Sequence, residues 1–357
     1  MNDESSSPLA TPPVDATPIF EYFRGSYGTE LLTAAVAHFD LFGRLAKQSR
    51  SLSDLGSDLQ LAERPMIVLS TTLRAMGLLT TTSDNRLTLT DLAKSHLVPG
   101  APFDVGNYVG LAASSPGVME MVTRLRTNRP AGLDAEEAGT AFIYRAGTAS
   151  AMEQQELAEH FTLSLSGRAK NVAPVLAERL PLTHDTTSPR TLLDIGGGTG
   201  IYSIAYLRRE PSLRAIVLDR PEVLKLARRF AEEYGVADRV ELCAADMFTD
   251  DLPRADFVLL SNILHDWDVP ACHALVERCA NALQPNGQLI IHDVLLNDAL
   301  DGPLPIALYS AALFTLTEGR AYSGREYNDW LTAAGLTPAS PVATHIHCHA
   351  IVGRRER

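Results

Sequence analysis

The chain has 357 residues, 45% hydrophobic and 21% charged, which is long enough for two domains and a sizeable core. A formal charge of −12 excludes the broad basic face that a nucleic-acid partner calls for. Cys243, Cys272, Cys279 and Cys348 form neither a C-x-x-C pair nor a close-set framework, so they read as reduced thiols of a cytoplasmic protein.

In chain order, residues 1–18 are Ser, Thr, Pro and acidic residues with no apolar h-region, which predicts a disordered tail and no secretory signal. No apolar run approaches membrane-spanning length. From 19 to 98 the pattern is helical and then briefly β. A helix is expected from Ile19 to Phe39, a second opening at Ser51 or Ser53, and a third from Pro65 to Met76. Two β-rich arms then flank Ser83-Asp-Asn85 as a hairpin. Three helices and a hairpin make a winged helix. As a DNA reader its third helix would offer only Arg64 and Arg74 around an apolar middle. The better reading is a dimerisation module, with Leu31 to Ala37 as the apolar surface for a second copy.

Residues 99–190 read as a helical linker punctuated by prolines. Tyr108, Met119, Met121, Phe142, Tyr144, Phe161 and Leu165 are its large side chains, most for packing and a few for a flat apolar pocket. From Thr191 to the end strands and helices alternate, which implies a parallel sheet. The strands are expected at 191–195, 214–218, 239–244, 257–262 and 288–294, the last preceded by the turn signal Pro285-Asn-Gly287. One or two edge strands are expected within 342–352.

The densest signal is Thr191-Leu-Leu-Asp194-Ile-Gly196-Gly-Gly198-Thr-Gly200. A buried strand runs into a glycine turn, and a helix resumes at Ile201. Its glycines permit a sharp turn and close approach of a ligand to the backbone. The spacing departs from the dinucleotide fingerprint, because Ile201 stands at its third position. A carboxylate at the strand end repels a pyrophosphate and suits a cationic group; S-adenosylmethionine has an ammonium and no phosphate. Asp-x-Gly-x-Gly-x-Gly resembles the first motif of class I methyltransferases.

Ligands of doubly wound sheets bind beyond the carboxyl ends of the strands. The second strand ends at Asp219, an acceptor for ribose hydroxyls, and the third leads to Asp246 and Met247, suited to an adenine amino group and ring. The fourth ends Leu260-Ser261-Asn-Ile-Leu-His265-Asp-Trp-Asp268. Histidine, with an ordinary pKa near ~6.5, can take the proton of an attacking hydroxyl.

These motifs, in this order, resemble the plant-type small-molecule O-methyltransferases, a family that includes caffeate and acetylserotonin O-methyltransferases and many bacterial natural-product enzymes. The resemblance covers about residues 18–353 and implies a Rossmann-like class I methyltransferase sheet, an α/β fold, behind an N-terminal winged-helix dimerisation domain. It implies a homodimer acting on a small-molecule, aromatic substrate without nucleic acid or membrane. Asp194, Gly196, Gly198, Asp219, Asp246, Met247 and Ser261 would bind S-adenosylmethionine, and His265 would be the base, oriented by Asp293. Ser261 stands where plant members often have Lys. Ala321, in Glu318-Gly-Arg-Ala-Tyr-Ser323, stands where a second acid partner of the histidine is expected. That gap admits another chemistry: His265 and Asp266, with His292 or the run His345-Ile-His347-Cys-His349, could hold a metal for C-methylation of a 2-oxo acid or enol. The three histidines of that run share one face in the strand reading and read rather as solvated, so no metal is expected. A regulator that senses the cofactor through the winged helix is the reading from another class.

Overall fold

The computed structural model of this chain describes residues 9–129, 155–182 and 189–355. Two compact units emerge. One comprises residues 1–18, 143–295 and 324–357; the other comprises 19–142 and 296–323.

In the second unit the first helical pattern is broken into α1 (Thr17–Arg24) and α2 (Ser26–Thr33), followed by a π turn at Ala34–His38 in which the Phe39 N–H reaches back to Ala34 O. After α3 (Leu41–Lys47), Ser51 caps α4 (Leu52–Leu59), its Oγ accepting from the Asp54 N–H at 3.0 Å. Then come α5 (Glu63–Ala75) and the hairpin β1 (Leu79–Thr81) and β2 (Leu87–Leu89), with Asn85 left-handed at its tip. Arg50 bridges to Leu87 beside the hairpin, completing the winged-helix arrangement. The unit continues through α6 (Asp91–His96), α7 (Gly106–Val109) and α8 (Pro116–Thr127).

One expectation for this unit is corrected. Leu31, Ala34 and Ala35 are buried in the unit's own core with Leu41, Phe42 and Leu69, so these three residues of the Leu31–Ala37 stretch offer no surface to a second copy. Exposed apolar side chains stand on α1, with Ile19, Tyr22 and Phe23 at i, i+3 and i+4, and separately at Phe103, Tyr108 and Leu111. The middle of α5, from Val68 to Leu73, is also buried. Its two arginines donate within the unit, Arg64 to the Thr317 and Gly319 carbonyls and to Asn128 Oδ1, Arg74 to the Ala299 and Leu300 carbonyls and to Thr81 Oγ1. A helix that is buried along its middle presents no reading face to a groove.

The other unit holds α9 (Gln155–Arg179), β3 (Arg190–Ile195), α10 (Ile201–Arg209), β4 (Leu213–Asp219), α11 (Pro221–Glu233), β5 (Val240–Ala244), β6 (Ala255–Ser261), α12 (Val269–Ala282) and β7 (Leu283–Leu296). In sequence α13 (Leu304–Leu316) and β8 (Tyr322–Ser323) follow, both in the winged-helix unit, where α13 packs on α5. The chain then returns with α14 (Gly324–Ala333), β9 (Thr337–Pro338), β10 (Val342–Ala343) and β11 (Cys348–Arg354). The sheet runs β10-β11-β7-β6-β3-β4-β5, parallel from β7 to β5, with β10 and β11 antiparallel. Successive strands leave β3 first in one direction and then in the other, so the crevice beyond the ends of β3 and β6 is the topological switch point. Residues 9–17 belong to this unit: Leu9 packs on its core, and Thr17 Oγ1 accepts from the Ile346 N–H at 3.0 Å.

Pro285-Asn-Gly287 does not precede the fifth strand but lies inside β7. There β7 runs from Leu283 to Gln288 opposite only Ala255 to Phe257 of β6, with Asn286 left-handed, so the turn residues are absorbed as an irregularity. The expectation that His345, His347 and His349 share a strand face is also corrected. Thr344 N donates to Cys348 O across a turn, and Ile346 and His347 are left-handed, so only His349 lies in a strand.

Candidate active site

The turn after β3 is set by backbone geometry. Gly196, Gly198 and Gly200 all have φ between 59° and 71°. Gly196 is also a close approach: a Cβ there would lie 2.5 Å from Ile263 Cδ1, in the loop after β6. At Gly198 a Cβ would meet nothing nearer than 3.9 Å, so conformation alone requires glycine. The Gly196 and Gly198 N–H groups are anchored on Leu218 O (2.8 Å) and Asp219 Oδ2 (2.9 Å), which ties the turn to the end of β4.

Three carboxylates arrive at this edge of the sheet. Asp194 is buried and accepts the Ser203 hydroxyl at 2.7 Å. Burial, opposed by that bond and reinforced by the charge of Asp219, pushes its pKa up to about 7. Asp219 accepts one N–H on each oxygen, from Gly198 and from Arg220 at 2.7 Å, and burial raises its pKa too. Each of its oxygens keeps a second lone pair for a vicinal diol. Asp246 accepts the Phe248 N–H at 2.8 Å and meets the Arg220 guanidinium at 3.1 Å, with Met247 partly exposed beside it. Carboxylate acceptors that outnumber their donors suit a ligand that brings a cation and hydroxyls.

The loop after β6 delivers the histidine. Asn262 is left-handed; its N–H donates to His292 O, and its side chain is gripped by Arg168 of α9 (2.6 Å) and Tyr202 of α10 (3.2 Å). The next residues divide their work. His265 sits on a 3-10 turn, 4% exposed, with Nδ1 2.6 Å from Asp293 Oδ1. Asp266 Oδ1 lies 3.6 Å from Nε2. Trp267 packs edge-on against Phe248, and Asp268 caps α12 by accepting the Ala271 N–H at 3.0 Å. Burial on its own lowers the pKa of His265, but the Asp293 and Asp266 carboxylates outweigh it and hold the net value above the ordinary one. Asp293 is buried as well, yet His265 and the Val294 N–H keep its pKa low, so it stays ionised. An ionised acceptor at Nδ1 fixes the proton there and leaves Nε2 as the nitrogen that takes a proton.

Ser261 and His292 lie beneath the site. The Ser261 hydroxyl pairs with His292 Nδ1 at 2.9 Å, and His292 Nε2 with Thr344 Oγ1 at 3.0 Å. Burial and the nearby Arg168 push the His292 pKa down to about 3, so the ring is neutral. Both ring nitrogens are engaged in hydrogen bonds. Among the described residues no group of three or more His, Cys, Asp or Glu is arranged to hold a metal. Cys272 donates to Leu264 O at 3.1 Å inside the core, and the four cysteines are free thiols.

The predicted residues of this site therefore meet along one edge of the sheet. Sequence reasoning gave no role to Arg168, Tyr202, Arg220 or Tyr327. The Arg168 charge reaches His265, Asp266, His292 and Asp293. Of the linker side chains, Met121 is buried and Tyr108, Met119 and Leu165 are exposed. Phe142 and Tyr144, and the side chain of Phe161, lie outside the described residues.

A model of the O-methyltransferase domain matches residues 132–337. The chain belongs to the O-methyltransferase family. It is an S-adenosylmethionine-dependent enzyme, with a Rossmann-like methyltransferase sheet. Over 343 residues the chain is 33% identical to the 3-hydroxy-5-methyl-1-naphthoate 3-O-methyltransferase of Streptomyces sahachiroi, covering 95% of each. It is 47% identical to an O-methyltransferase family 2 protein from Planctomyces limnophilus solved in complex with apigenin, with a TM-score of 0.87 over 97% of this chain and 98% of that one. Human N-acetylserotonin methyltransferase, solved with S-adenosylmethionine, shares the fold at 21% identity and a TM-score of 0.56, over 98% of this chain and all of that one. The acceptor-rich edge fits the family's cofactor, whose sulfonium supplies an electrophilic methyl group when bound.

Proposed function

We propose that this O-methyltransferase methylates a phenolic hydroxyl of a small aromatic compound, with His265 as general base. One observation carries the reading: Asp293 Oδ1 stands 2.6 Å from His265 Nδ1, which commits Nε2 to accepting a proton. A neutral phenol is a weak nucleophile for in-line displacement at carbon, and loss of its proton to Nε2 strengthens it. Phenols suit the relatives as well, since one is named for a hydroxynaphthoate and another is solved with apigenin. In this reading Asp194 faces the cofactor's ammonium, Asp219 accepts from its ribose, and Asp246 and Met247 hold the adenine. The Gly196–Gly198 backbone lets the cofactor approach, and Ser261 lies below it, anchored on His292.

The acting species is taken to be a homodimer, closed through the exposed face of Ile19, Tyr22 and Phe23. Four free thiols suit the cytoplasm. Among the described residues no helix is long and apolar enough to cross a membrane.

The test is S-adenosylhomocysteine release from S-adenosylmethionine and apigenin by wild type and His265→Ala. The variant should lose roughly 100- to 10,000-fold in turnover, with S-adenosylhomocysteine binding by calorimetry unchanged. Equal turnover by the two proteins would sink the base role.

A further inference from the structure

Asp293 has one more partner, supplied by α14. Tyr327, in the first turn of α14, is fully buried, and its hydroxyl donates to Asp293 Oδ2 at 3.0 Å. The ring is set by packing, edge-on to Trp330 at 5.3 Å. The other oxygen, Oδ1, accepts from both His265 Nδ1 and the Val294 N–H (2.8 Å). Three donors on two oxygens define the plane of the carboxylate and decide which oxygen His265 meets.

We propose that Tyr327 is a positioning residue for methyl transfer: its hydroxyl locks the Asp293 carboxylate that orients His265. The inference rests on His265 acting as base. Without the hydroxyl, Oδ2 would be a buried, charged acceptor with a lone pair unmet, and the carboxylate would be free to turn. A carboxylate free to turn away from Nδ1 stabilises protonated His265 less, so the His265 titration moves to lower pH.

The experiment is nuclear magnetic resonance of protein labelled at histidine, without cofactor, for wild type, Tyr327→Phe, Asp293→Asn and His265→Ala. The last variant assigns the His265 signals. Tyr327→Phe keeps the ring and its packing, and thermal unfolding on the same samples checks the fold. In wild type the His265 Nδ1 proton should be protected from exchange and far downfield. In Tyr327→Phe it should weaken or move upfield, the His265 midpoint should fall, and turnover on apigenin should fall roughly 10- to 100-fold. An unmoved proton and midpoint in Tyr327→Phe would overturn the inference even if turnover fell, because loss of packing alone moves neither. Asp293→Asn should abolish the protected proton; if the proton persists there, the His265–Asp293 pair and the base reading fail independently of Tyr327.

Discussion

His265 works at a pH set by its neighbours. Burial favours the neutral ring, while Asp293 at 2.6 Å and Asp266 at 3.6 Å favour the imidazolium and prevail, so the folded pKa lies above the ordinary value. A general base acts only when neutral, so kcat/KM should rise with pH through that raised pKa. The acid limb of the profile on apigenin should therefore have its midpoint above ~6.5. In Asp293→Asn the attraction is removed, so the midpoint should fall below that of wild type while the rate also falls. A wild-type midpoint well under the ordinary histidine value would contradict this electrostatic account. The His-Asp-Trp-Asp stretch was legible as a strand-end signal, but the separate tasks of its residues were not. Asp266 faces the base and Asp268 caps a helix, a distinction that spacing does not carry.

The glycine turn separates two reasons for glycine that look alike in sequence. Gly198→Ala pays only for left-handed backbone, about 1 kcal/mol. Gly196→Ala adds to that backbone cost a Cβ 2.5 Å from Ile263 Cδ1, so the Ile263 side chain in the loop that leads to His265 must also turn away. Thermal unfolding should therefore show Gly196→Ala as the more destabilised variant, and calorimetry should show it binding S-adenosylhomocysteine more weakly. Equal effects would mean that the approach to Ile263 is relaxed at no cost. Elements with strong local signals matched expectation here: Ser51 caps its helix, and each of the first four sheet strands falls within two residues of its expected limits. The fifth strand starts earlier than Pro285-Asn-Gly287 suggests, because pairing of Leu283 with Ala255 outweighs a local turn preference. The His345–His349 run fails as a strand for the converse reason, a tight turn across Thr344 and Cys348.

At the scale of the molecule, the apolar residues nearest the N-terminus separate into buried and exposed sets that composition cannot tell apart. Leu31, Ala34 and Ala35 are core, whereas Tyr22 and Phe23 are 84% and 80% exposed. If that face closes a homodimer, light scattering after gel filtration should give twice the chain mass for wild type and a monomer for Tyr22→Asp/Phe23→Asp. A wild-type monomer at micromolar concentration would remove the dimer from the proposal.

Sequence alone determined the parallel sheet, the glycine turn, the order of acids along its edge and the histidine beyond the fourth strand, because periodicity and strand-end chemistry are local properties. Only tertiary structure decided that Arg168 is drawn in to Asn262, that His292 is tied to Ser261, and that Tyr327 reaches Asp293 across 34 positions. Those contacts join α9 to the β6 loop and α14 to β7, elements distant in sequence. A buried tyrosine on a helix stripe has the same local pattern whether its hydroxyl meets a carboxylate or a carbonyl; the fold supplies the partner.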